Sequence, residues 1–168
     1  MMETLLAFLA EHSIPYERFD HPAVFTCEES EKLSPMPGAS TKNLFLRNDK
    51  KTEYFLVSVG HEKRADLKAL GVLLNAKLSF GSPEDLKRLL GVEPGSVTLF
   101  GALHDMDKAV DIIIDREVWE AGAMQCHPLV NTATLIMKTT DMENFFKAMD
   151  HAFRVLKVPA ISILQGGD

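Results

Sequence analysis

Along the first helix-length stretch, Leu5, Leu6, Phe8 and Leu9 recur at the spacing of one helical face, which predicts a helix over residues 3–12. Ile14 to Phe19, opened by Pro15, reads as a short strand. In TCEESEKL, Thr26 and Glu29 stand at capping-box spacing, so a brief helix starts there and SPMPG stops it. The β pattern is clearest in KNLFLRN and TEYFLVSV. They flank the turn-like Asp49-Lys50-Lys51 and predict an antiparallel hairpin.

HEKRADLKALG reads as a helix ended by Gly71. GSPEDLKRLLG has Ser82 at the N-cap, Pro83 at the first helical position, acids in the first turn and Gly91 past the end. Glu93 to Ser96 forms a turn, SVTLF a strand, and AVDIIIDREVW and NTATLIMKT one strand each. Thr140 with Glu143 caps a last helix, TDMENFFKAMDHAFRVL, whose Phe145, Phe146, Met149, Ala152, Phe153 and Leu156 are core positions. Trp119 is read as packing, and Asp105 and Asp107 near Lys108 as an exposed turn. Strands and helices do not alternate regularly. That excludes a doubly wound parallel sheet and favours an α+β domain with a mixed, curved sheet.

Composition narrows the class. The 168 residues suit one domain over 1–168, and 46% hydrophobic with 25% charged residues is globular. No apolar run reaches the roughly 18 residues of a membrane span, and no basic leader precedes the first helix. Cys27 and Cys126 are too few for a disulfide framework. A cytoplasmic protein is expected. A net charge of −6 argues against a general nucleic-acid binder, but not against one gripping a single end. A local basic group does exist, in Lys42, Arg47, Lys50, Lys51, Lys63, Arg64 and Lys68.

Common catalytic schemes fail. GxSxG, GxGxxG and GxxxxGK[ST] are absent, and the six histidines show no HExxH, so neither metal nor other cofactor is expected. Cys126 and His127 are neighbours, but adjacent strand residues point to opposite faces, so Cys126 is read as buried and inert. QCHPLVNTATL places His127 at a strand mouth, with Pro128 opening the strand and Asn131 and Thr132 just inside. These polar groups either satisfy neighbours or hold a ligand.

Four motifs in order, HPAVFT (21–26), TKNLFLRN (41–48), GVEPGSVTLFGAL (91–103) and CHPLVNTATL (126–135), resemble the YbaK/ProX family of aminoacyl-tRNA editing domains. The likeness is closest to the free-standing prolyl-tRNA editing type, which deacylates alanyl-tRNA(Pro), and spans residues 15 to 160. It implies a single α+β domain around a mixed, barrel-like sheet. It also implies that Lys42 engages the phosphate near the terminal adenosine and that His127 borders the aminoacyl ester. Amides near Gly95 and Gly101 would polarise the ester carbonyl, and Phe100 with Gly101 would form the pocket wall. Asn43, Asn131 and Thr132 join as substrate-side support, and Val24 to Met36 is a candidate wall. Leu99 stands where the family commonly has proline, which would fix the backbone.

An aminoacyl ester is already activated. Its hydrolysis needs a placed water, donors for the oxyanion and exclusion of the wrong acyl group, and the family's ribose hydroxyl is implicated in activating the water. The implied partner is the aminoacylated 3′ end of tRNA(Pro), with prolyl-tRNA synthetase a further companion. Two other readings stay open: an editor for cysteine or serine, and a module that binds aminoacyl-tRNA or a synthetase without hydrolysis.

Overall fold

Phe45 and Leu46 are neighbours on one strand, and both are buried. Successive strand residues point to opposite faces, so their sheet must be covered on both sides. A computed structural model, which describes residues 2–23 and 36–161, shows how. In chain order its elements are α1 (Met2–Glu11), β1 (Glu17–Asp20), β2 (Thr41–Arg47), β3 (Tyr54–Gly60), α2 (Leu67–Leu74), β4 (Ser79–Phe80) and α3 (Pro83–Leu90). After two short 3-10 segments, Pro94–Ser96 and Leu99–His104, come β5 (Val110–Asp115), α4 (Arg116–Glu120), β6 (Ala123–Cys126), β7 (Ala133–Lys138), α5 (Thr139–Ala148) and β8 (Phe153–Leu156).

The strands form a five-stranded sheet in the order β4-β2-β3-β5-β8 and a three-stranded sheet in the order β1-β7-β6. The larger sheet is mixed: β2 runs antiparallel to β3 and β4, whereas β3, β5 and β8 are parallel. Ala39 bridges to Met124 and so links the sheets, but they do not close into the expected barrel. Between the sheets lies the main core: Leu5 and Leu9 of α1, Leu86, Leu89 and Leu90 of α3, and Phe145 and Phe146 of α5 meet Phe45, Leu56 and Ile112. A second cluster, with Leu46, Val57, Val59, Leu70 and Ile113, sits beneath α2. Each fully buried side chain of this size contributes about 1.5–3 kcal/mol. Among the described residues, no helix is long and apolar enough to cross a membrane.

Local chemistry explains several boundaries. The β2–β3 hairpin closes on Asn48, whose Oδ1 accepts from the amides of Thr52 (2.8 Å) and Glu53 (3.1 Å). α3 begins and ends where capping predicts, with Ser82 Oγ accepting from the Asp85 amide and Gly91 at φ 68°. α2 differs from expectation: Gly71 lies inside the helix, which runs on to Leu74 and stops at Asn75 in the left-handed region. A Cβ at Gly71 would strike the Ala76 carbonyl oxygen, so glycine serves close packing here and not termination.

Other expectations are corrected. SVTLF is not a strand; Ser96 ends the first 3-10 segment, Leu99 and Phe100 open the second, and Val97 and Thr98 join them. The last helix stops at Ala148, and the Thr140–Glu143 box caps nothing because Lys138 occupies the N-cap. Phe153 and Leu156 instead pair in β8 with Ile112 and Asp115, so sheet pairing overrides the helical spacing. Phe153 still packs on Phe146 and Trp119, with ring centroids 5.0 and 5.2 Å apart. Asp105 is not an exposed turn residue: it is buried, accepts from the Ala109 and Val110 amides, and meets His151 Nε2 at 3.0 Å. The brief helix expected from Thr26, together with Cys27 and most of the Val24–Met36 wall, lies outside the described residues.

Candidate active site

Four chain segments converge at the open end of the β2–β3 hairpin. The alternation of β2 sends Asn43 to the main-core side with Phe45, whereas Lys42 shares the opposite face with Leu44 and Leu46. Asn43 Nδ2 donates to the Val97 carbonyl at 3.2 Å. Among the described residues, its Oδ1 is buried without a partner, and so is the hydroxyl of Ser58, its cross-strand neighbour. Lys42 is half-buried and has no ion pair among the described residues.

From Val97 the contacts run on to His127. Thr98 is fully buried, and its hydroxyl donates to the His127 carbonyl at 2.7 Å while accepting from the Phe100 amide at 3.3 Å. His127 sits in the loop between β6 and β7, its backbone held by Thr98 and its ring Nδ1 3.4 Å from the Ala133 carbonyl. A carbonyl can only accept, so this contact puts the proton on Nδ1 and leaves Nε2 as the acceptor. Burial holds the His127 pKa below its ordinary value; the Ala133 carbonyl works against that, and repulsion from His21 adds to it. The ring is therefore neutral at pH 7.

His21 approaches from the end of β1. Its amide donates to Thr132 O at 3.0 Å, Nδ1 lies 2.9 Å from Pro22 O, and Nε2 lies 2.8 Å from Thr134 Oγ1. The carbonyl fixes the proton on Nδ1, so Nε2 accepts from the threonine hydroxyl.

Not every expected residue is placed as the resemblance implied. Phe100 is fully buried, edge-on to Phe145 with centroids 5.2 Å apart, so it belongs to the core and not to a pocket wall. The Gly101 amide already donates to Thr98 O at 3.0 Å and cannot face an ester. A Cβ there would come within 3.0 Å of Leu90 Cβ, so its glycine serves packing against α3. Gly95 is exposed on the first 3-10 segment, and its amide has no partner among the described residues. Asn131 and Thr132 lie in the loop before β7, which starts only at Ala133; Pro128 therefore opens a loop and not the strand. Leu129 in that loop is buried at φ 67°, a conformation costing about 1–2 kcal/mol for a non-glycine residue. Leu99 is buried at the first position of the second 3-10 segment, which Thr98 caps by accepting from the Phe100 amide.

His21, Thr98, Thr134 and Ser58 were not singled out from the sequence as site residues. HPAVFT carried the only signal for His21, and its partner Thr134 is 113 positions away. Cys126 is buried as expected, and burial pushes its thiol up to about 12.

Among the described residues, the loop thus presents a neutral imidazole whose Nε2 is unengaged, beside a buried Cys126 thiol held protonated. The model of the aminoacyl-tRNA editing domain matches residues 21–145, and the chain belongs to that family. It is thus an aminoacyl-tRNA deacylase. The Prolyl-tRNA editing protein ProX of Acetoanaerobium sticklandii is 32% identical over 93% of this chain and 96% of its own. The Prolyl-tRNA synthetase associated domain-containing protein 1 of Danio rerio is 34% identical over 90% and 84%. A crystal structure provisionally described as a trans-editing enzyme for prolyl tRNA synthetase superposes with a TM-score of 0.69 at 17% identity, covering 94% of this chain and 97% of that one. This last match supports the fold alone.

Proposed function

We propose that the protein, as one editing domain over residues 1–168, removes alanine in trans from mischarged alanyl-tRNA(Pro). The observation that carries the mechanism is the neutral His127 ring, with Nδ1 directed at Ala133 O and Nε2 left to accept. Through Nε2 it orients the attacking water or the ester. Water adds to the ester carbonyl, the bond to the ribose oxygen breaks, that oxygen takes a proton, and alanine and tRNA leave. Asn43 supports the site from the core side, its Nδ2 donating to Val97 O beside Thr98. The amide of Gly95, without a partner among the described residues, serves as an oxyanion donor in place of Gly101. Lys42, without an ion pair among the described residues, binds the terminal phosphate from the hairpin's open end, and Asn131 and Thr132 support the loop carrying His127.

The choice of tRNA(Pro) rests on the name of the Acetoanaerobium relative, and the names of the vertebrate relatives support prolyl-tRNA synthetase as a companion. A cytoplasmic setting fits that substrate. The test is deacylation of alanyl-tRNA(Pro) and prolyl-tRNA(Pro) by wild type, Lys42→Ala and His127→Ala. Loss of alanine with proline spared, and impairment of both variants, is the expected result. Intact alanyl ester in the presence of folded wild type overturns the assignment.

A further inference from the structure

The first two residues of β7 are bracketed by two imidazoles. Ala133 O lies 3.4 Å from His127 Nδ1, and the Thr134 hydroxyl bonds His21 Nε2 at 2.8 Å. β1 runs antiparallel to β7, with Asp20 opposite Ala133 and Phe19 opposite Thr134. His21 follows directly and extends that ladder, its amide donating to Thr132 O. His21 therefore grips the β7 mouth by backbone and side chain together, on either side of the carbonyl that orients His127.

From this we infer that His21 is a positioning residue of the deacylation site: through Thr132 and Thr134 it holds the Ala133 carbonyl where it directs the His127 ring. The inference rests on the reading of His127 given above. His21 is half-buried, and both of its ring nitrogens are engaged within the protein, so it holds the ring that works and does not act on the ester itself.

The surroundings of His127 support this division. β7 offers it the Ala133 carbonyl, and the Val97–Thr98 segment offers a hydroxyl spent on its backbone. β2, which carries Lys42, joins the cluster through Asn43. Among the described residues, His21 is the titratable group whose charge lowers the His127 pKa. Burial sets the preference of the His127 ring for the neutral form and His21 adds to it, while the His21 grip on β7 fixes where the ring points.

The test compares His21→Ala, Thr134→Val and Thr134→Ser. Thr134→Val keeps the buried shape and removes only the hydroxyl, so it stays informative if His21→Ala fails to fold. Two quantities are read: kcat and KM for alanyl-tRNA(Pro), and the tautomer and titration of His127 from two-bond proton–nitrogen NMR correlations. In His21→Ala and Thr134→Val, kcat should fall about tenfold with KM little changed, a fraction of the ~100-fold loss that a 1 Å misplacement brings. The Nδ1-protonated form of His127 should lose population in both, and Thr134→Ser should restore both readings. His127 should also titrate at lower pH in Thr134→Val, where the Ala133 contact that raises its pKa is loosened. Wild-type kcat and an unchanged His127 tautomer in Thr134→Val overturn the inference. Wild-type activity in His127→Ala overturns the reading of His127, and the share of His21 with it. An impaired His127→Ala beside an undisturbed ring in His21→Ala overturns the positioning role alone.

Discussion

Thr98→Val should lower stability by about 2 kcal/mol and slow deacylation while keeping the fold. The side chain is fully buried and its one hydroxyl has two duties, donating to His127 O and accepting from the Phe100 amide. Each bond contributes about 1 kcal/mol net, and the stranded Phe100 amide adds a penalty of about 1 kcal/mol. The methyl that valine brings regains at most about 0.8 kcal/mol if it packs. For a chain of this length a loss of about 2 kcal/mol lowers Tm by about 4–8 °C. Urea unfolding should show a lower midpoint at unchanged m value. Because the loop carrying His127 loses its anchor, kcat should fall about tenfold, within the range expected when a reacting group shifts. Thr98→Ser keeps the hydroxyl and should retain activity. Wild-type stability and turnover in Thr98→Val would refute the view that this hydroxyl holds the site together.

Three further outcomes follow from the same contacts. The His127 pKa is lowered from 6.5 in the folded protein, so its contribution is present above pH 6.5 and is lost as pH falls through the folded value. Urea midpoints should drop below pH 6.5, and His127→Gln should flatten that part of the curve. Lys63 Nζ lies 2.7 Å from Asp115 Oδ2 and bonds Val158 O at 2.9 Å; Asp115 is fully buried, and its Oδ1 takes the Val158 amide. Lys63→Met should cost about 3–5 kcal/mol by leaving that carboxylate unpaired, and a cycle with Asp115→Asn should show strong coupling by urea unfolding. Finally, with its thiol pushed up to about 12 and buried, Cys126 should resist iodoacetamide at pH 8 until urea unfolds the chain, as peptide mass mapping would show.

Much of the architecture was written in local pattern. The Ser82-Pro83…Gly91 signals acted on neighbouring backbone groups, so α3 formed where they said it would. The hairpin was legible for a similar reason, since Asn48 satisfies the turn from within. Gly71 misled because one residue type serves two ends: a helix stop, and close approach to the Ala76 carbonyl. Phe153 to Leu156 misled because a helical and a parallel-strand partner were both possible, and β5 supplied the second.

Within the candidate site, motif likeness singled out Asn43 and His127, and the structure brings both into one hydrogen-bonded chain of contacts. It did not reveal that Phe100 and Gly101 are spent on the core, because an amide's partner depends on how its segment turns.

The sequence by itself thus determined the elements with their own caps and turns, the mixed α+β class and the family. Only the tertiary structure decided which face Lys42 shares, which nitrogen of His127 is free, and that His21 and His127 flank the same two residues. The physical reason is range. Caps and periodicity act over a few residues, whereas the half-buried imidazole of His127 takes its tautomer and charge from surroundings that only the folded chain assembles.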